Sequence, residues 1–149
     1  MYGLKKLSGV CLLASFLLVL ACGIAMAAEE RVGGIDPQRV LFQHPKYEQT
    51  LKQIKDIADN KQKEAKEAID KETDNNKKAE IFQNMRIAIA EEEQKLMQPL
   101  FKDIDLAVRS VANAKQVTVV VDKTALFYGG IDITDDVVQE LKKKNASGS

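Results

Sequence analysis

Thiols are scarce in this chain of 149 residues. It has two cysteines, Cys11 and Cys22, both inside an apolar N-terminal stretch. Beyond residue 27 there is no cysteine, so no disulfide can brace the rest of the chain. Histidine is equally scarce. The single one, His44, precedes Pro45 at a helix boundary, where a structural role outweighs a catalytic one, and a histidine-based metal site would need a second. Asp132, Asp135 and Asp136 lack the loop of alternating oxygen ligands that calcium requires, and suit a helix start instead. Gly129-Gly130 has no P-loop lysine beside it. Glu91-Glu92-Glu93 reads as a solvated charge run. No enzyme chemistry, metal or cofactor is therefore expected. Net charge is missing as well: 22 basic residues face 22 acidic ones, which excludes the basic surface of a nucleic-acid binder.

The N-terminal stretch reads as an address. Lys5 and Lys6 precede the apolar run Val10–Leu20, and Ala25-Met26-Ala27 supplies an A-x-A cleavage site. The run is short for a membrane span and is soon followed by Glu29-Glu30-Arg31. Residues 1–27 are expected to be a secretory signal peptide. A second reading shares the stretch. Val19-Leu20-Ala21-Cys22 resembles a lipobox, which would leave Cys22 lipidated and N-terminal, although Leu20 replaces the small residue usual there. Plain cleavage after Ala27 is preferred.

What the chain has in quantity is helix with a narrow apolar stripe. Tyr47, Leu51, Ile54, Ala58, Ala65 and Ile69 fall within about 40° of one line at 100° per residue. Phe82, Met85, Ile89, Leu96 and Leu100 do the same farther on. Asp74-Asn75-Asn76 is the turn between them. Folding there sets Ile69 opposite Phe82, Ile54 opposite Leu96 and Met97, and Leu51 opposite Leu100. The result is an antiparallel coiled-coil arm over residues 46–111, with its tip at 74–76 and a kink near Pro99. Four apolar residues fall off these lines: Ile57, Ile81, Ile87 and Met97. Each is either an ordinary surface hydrophobe or an adaptable contact for an unfolded chain.

The flanks, residues 28–45 and 112–149, form the body of what reads as one domain. Arg31–Asp36 is a candidate strand weakened by Gly33 and Gly34, and Asp36-Pro37 opens a short helix. Gln116–Asp122 is the strongest strand, Ala125–Tyr128 a second short one, and a last helix over Asp135–Lys144 is capped by Thr134. These flanks hold 56 residues, too few to bury a sufficient core alone. Several chains are expected to pool their strands, with Val32, Ile35, Val117, Val119 and Val121 at the shared surface.

Together these residues resemble the Skp/OmpH family of periplasmic chaperones. The match is carried in front by Val32, Gly33, Ile35, Asp36, Val40 and Leu41. At the back it is carried by Val119, Val121, Asp122, Lys123, Tyr128, Asp132, Ile133, Thr134, Val138 and Leu141. The resemblance implies an α+β, mostly α, fold: a homotrimer whose small β body closes into a barrel bearing three helical arms. It also implies an ATP-independent holdase that keeps unfolded outer-membrane proteins from aggregating between the arms. Two features depart from the family. Gly34 stands where an aromatic or large residue is usual. The arm is neutral rather than basic, with seven lysines against seven acids in residues 46–72 and four basic against four acidic residues in 77–98. The neutral arm weakens the expectation of long-range attraction to acidic clients, or of transient contact with a membrane surface. The other function class open at this point is a scaffolding coiled-coil envelope protein, anchored through Cys22.

Overall fold

In a computed structural model the fold is described for residues 30–147. The signal peptide, the lipobox and both cysteines lie outside the described residues. In chain order the elements are β1 (Val32–Ile35), α1 (Pro37–Phe42), α2 (Tyr47–Lys71), α3 (Asn75–Ala114), β2 (Val119–Asp122), a 3₁₀ turn (Lys123–Ala125), β3 (Ile131–Asp132) and α4 (Thr134–Ser147). The three strands form one sheet in the order β2-β1-β3. Both pairings are parallel, with Val32 opposite Val119, Ile35 opposite Asp122 and Gly33 opposite Ile131. Parallel neighbours need a long crossover between them. Here the crossover from β1 to β2 carries α1 and the whole α2–α3 hairpin, so the arm is an excursion within one crossover connection. No helix among the described residues is long and apolar enough to cross a membrane.

At 1.5 Å per residue, α2 with its 25 residues spans about 37 Å, and α3 with 40 spans about 60 Å. The turn between them falls earlier than the asparagines indicate. Glu72, Thr73 and Asp74 make it, while Asn75 and Asn76 already belong to α3. Two carboxylates hold it. Glu72 Oε1 accepts the N–H groups of Thr73 at 2.8 Å and Asp74 at 2.9 Å. Asp74, the N-cap of α3, accepts from Asn76 N–H at 2.7 Å and more weakly from Lys77 N–H at 3.4 Å. The N–H groups of Asp74 and Thr73 hold the Glu72 carboxyl below the usual carboxylate range. Pro99 lies inside α3 without ending it. It is solvent-exposed, so a backbone carbonyl left unpaired by the missing N–H can meet water.

The core lies at the arm's root. Ile35, Val40, Ala107, Val111, Val117, Ile133, Val137, Val138 and Leu141 pack as one buried cluster, with Ile104, Val108, Val120 and Ile131 against it. Ala107 and Val111 come from the lower part of α3. The body is therefore larger than the 56 flanking residues, and the size argument for oligomerisation loses part of its force. Strand β2 also starts later than its β-branched run indicates. Helix α3 ends in a Schellman motif: Gln116 N–H donates to Asn113 O at 3.2 Å and Val117 N–H to Ala112 O at 2.8 Å. Gln116 takes φ +57° at the left-handed position, where glycine is usual. Val117 closes that motif and is buried as part of it, so it is unavailable to the ladder.

Ala125–Tyr128 is not a strand. Asp122 Oδ1 accepts both the N–H and the hydroxyl of Thr124, at 2.8 and 2.7 Å, and turns the chain into the 3₁₀ turn. Leu126 then lies over Gly34, where a Cβ would meet its Cδ1 at 2.8 Å. This is the space a large residue at position 34 would fill. Thr134 is the first residue of α4 rather than its cap. Its Oγ1 accepts the Asp36 N–H at 3.0 Å, while Asp132 Oδ1 accepts the Thr134 N–H at 2.9 Å. The end of β1 is thereby tied to the start of α4.

Candidate functional site

The arm seam is rotated from the line drawn through its large apolar residues. On α2 the covered positions include Thr50, Ile54, Ile57, Ala58, Lys61, Ala65 and Ile69. On α3 they include Lys78, Ile81, Met85, Ala88, Ile89, Glu92, Leu96, Met97 and Leu100. At 100° per residue this shifts the seam by about 30° on each helix. Ile57 and Ile81, expected off the seam, are half-buried in it, and Met97 is half-buried beside it. Leu51 and Phe82, expected within it, are 43% and 51% exposed. Ala88 admits close approach, and the stems of Lys61, Lys78 and Glu92 can lie along apolar surface while their charges stay wet. The remaining seam calls, Tyr47, Ile54, Ile69, Met85, Ile89 and Leu96, are all half-buried. Ile87, 46% exposed, faces away from the other helix.

The rotation gives the arm one apolar flank. Because the helices are antiparallel, Leu51, Ile69, Phe82 and Ile89 all turn to the same side of the seam. Toward the tip the flank deepens into a groove of about 690 Å³, floored by Ala65, Ile69, Phe82, Met85 and Ile89. Lys66 and Arg86 stand on its rim with Glu93 and Gln62, so the rim carries both signs. Ion pairs on the arm, such as Lys61–Glu64 and Lys95–Glu92 at 3.6 Å each, join a half-buried residue to an exposed neighbour on the same helix and contribute little. Helical spacing alone assigns Ile69, Phe82, Met85 and Ile89 to the seam. The signal for the flank is the aromatic Phe82 with Leu51, Ile69 and Ile89 on one side of the stripe, while the other side mixes Ile57 and Ile81 with Thr50, Lys61, Lys78 and Ala88.

The body has a second apolar surface. Residues paired across parallel strands share a face, so Val32, Gly34, Val119 and Val121 point away from the core, while Gly33, Ile35 and Val120 point toward it. Val119 is 48% exposed, and Phe127 and Tyr128, in the loop that follows, are fully exposed. Among the described residues, strand β2 has no neighbour on its outer edge. Of the five residues expected at a shared surface, Val32, Val119 and Val121 lie on the open face. Ile35 and Val117 are consumed by the protomer's own core.

Among the described residues, no group of three or more histidine, cysteine or acidic side chains could hold a metal. Asp132 sits below the usual carboxylate range because the hydroxyl and N–H of Thr134 favour its charged form. Asp122 does so because of the hydroxyl and N–H of Thr124. Both carboxylates serve turns and helix starts. In comparison with known proteins, the family described as Outer membrane protein (OmpH-like) matches residues 59–141, from the middle of α2 to α4. No curated protein matches the chain.

Proposed function

The chain belongs to the OmpH-like outer membrane protein family, and from that premise we propose that it is a periplasmic, ATP-independent holdase for unfolded outer-membrane proteins. The observation that carries the reading is the apolar flank of the arm. Large hydrophobic side chains stay half exposed on a hairpin whose own packing does not need them covered. A long, narrow, adaptable apolar surface with a mixed-sign rim suits chains that present many sequences and no fixed shape. Ile87 adds a contact on the outer side of α3. Ile57, Ile81 and Met97 contribute only the edges that the seam leaves uncovered.

In this reading the working unit is a homo-oligomer, a trimer by the family's pattern, joined through the open face of Val32, Val119 and Val121 and the free edge of β2. Each arm contact is weak, and several arms around one client raise the effective concentration. The balanced arm charge makes capture apolar rather than electrostatic. The direct test is dilution of a urea-denatured outer-membrane β-barrel protein into buffer with the purified chain and no nucleotide. Suppressed light scattering, little changed between low and moderate salt, is the expected result. Scattering unchanged by the chain, together with sedimentation of the protein with membranes, would replace the holdase by an anchored scaffold. A steep loss of protection with salt would move the binding energy to charge.

A further inference from the structure

The one histidine of the chain sits where the arm meets the body. His44 links α1 to α2, and its side chain is 3% exposed. Its N–H donates to Leu41 O at 3.1 Å and its carbonyl accepts the Tyr47 N–H at 2.9 Å. Its Nδ1 accepts the Lys46 N–H at 3.1 Å. The ring therefore stands in for the side-chain cap that Lys46, at the start of α2, does not provide. Since Nδ1 accepts, the neutral ring carries its proton on Nε2, which faces Asp103 Oδ2 on α3 at 3.7 Å. Helix α4 completes the surroundings: Leu141, Lys144 and Asn145 line a cavity of about 170 Å³ with His44, Lys46 and Asp103. The link between α1 and α2 thus meets α3 and α4 around this ring.

We propose that His44 is an acid-sensitive pin at the arm's root: a proton on Nδ1 expels the Lys46 amide and loosens the start of α2. An imidazolium has no acceptor, so the Nδ1 bond cannot survive protonation. The surrounding charges oppose one another. Asp103 favours the imidazolium and Lys46 disfavours it, while the Lys144 ammonium is offset by Glu140 at 3.8 Å. Burial is the largest influence and pulls the ring below the ordinary histidine value. The pin holds while the ring is neutral and releases as pH falls through its lowered value. This rests on no assumption about clients.

The test uses the purified protein, because a sole histidine gives a single ring resonance. The His44 Cε1–H signal is expected to titrate with its midpoint below 6.5, the ordinary value. Over the same range, hydrogen-exchange protection of the Lys46 amide should fall about tenfold, the equivalent of one hydrogen bond. His44→Asn keeps an acceptor but cannot titrate, so its Lys46 protection should persist into acid. Asp103→Asn should move the ring midpoint lower still. A midpoint at or above 6.5, constant Lys46 protection through the titration, or the same acid step in His44→Asn would each overturn the proposal. If His44→Asn does not fold, the Asp103→Asn shift and the wild-type Lys46 profile decide it.

Discussion

Two adjacent glycines in the central strand offer a paired test of the body's packing. Gly33 and Gly34 are both buried but face opposite sides of the sheet. A Cβ on Gly33 would meet Val117 Cγ1 at 2.9 Å and Ile133 Cδ1 at 3.6 Å. Val117 is β-branched, buried and locked into the end of α3, so it has no rotamer to escape to. Overpacking of this kind costs about 1–3 kcal/mol. The alanine regains about 0.4–1 kcal/mol by restricting the unfolded chain. Gly33→Ala should therefore lower stability by about 1.3 kcal/mol, the centre of a range from about zero to about 2.6 kcal/mol. A Cβ on Gly34 meets Leu126 Cδ1 at 2.8 Å and Lys123 Cβ at 3.4 Å. That clash is with the far end of a half-exposed side chain in an irregular segment, which can swing away. Gly34→Ala should fall within about 0.5 kcal/mol of the parent. Urea denaturation at matched protomer concentration measures both, since assembly would otherwise shift the midpoints. Equal losses in the two variants would mean that Leu126 is pinned and that the open face is not open.

Phe82→Ala tests the groove: about half of a side chain near 200 Å² stays exposed on it, so full covering by a client is worth at most about 2.5 kcal/mol. A Kd for unfolded client weakened between about threefold and thirtyfold is expected, with helicity by circular dichroism kept; Ile87→Ser should weaken binding less, and the reverse order would shift the site to the outer side of α3. Val119→Asp should leave a folded protomer that no longer associates, because its side chain faces away from the core; an unchanged sedimentation coefficient would place Val119 outside the shared surface. Gln116→Gly should stabilise the protein by about 1 kcal/mol by relieving a left-handed residue, read as a higher urea midpoint; a drop would mean the glutamine side chain has a role of its own. Asp132 is depressed in the folded state, so its contribution is present above the unfolded carboxylate value near 3.9 and is lost as pH falls through the folded value. Asp132→Asn should therefore flatten the stability profile below about pH 4, and an unchanged acid limb would assign the loss to other carboxylates.

What the sequence determined by itself is the set of features encoded locally. Apolar residues at helical spacing fix a long hairpin, because period and turn lie within one continuous stretch. Asp36-Pro37 fixes the start of α1, because cap and first turn are adjacent residues. The branched run Gln116–Asp122 marks a strand, which the structure forms over Val119–Asp122. The lack of later cysteine and of a second histidine rules out cross-links and a histidine cluster without any fold at all. The tertiary structure decided whatever depends on competition between distant partners. Val117 looks like strand, but the end of α3 claims it. Ala125–Tyr128 looks like strand, but Asp122 turns the chain and Leu126 takes the space over Gly34. The lower end of α3 reads as arm, yet Ala107 and Val111 are body, because β1, α1 and α4 fold back onto them. The seam itself turned by about 30°. Which side of a helix is covered depends on how closely two backbones approach, and small residues with long polar stems allow the closest approach. Hydrophobicity names the residues available for the interface; packing leaves some of them, Phe82 and Leu51 above all, on the flank where a partner can reach them.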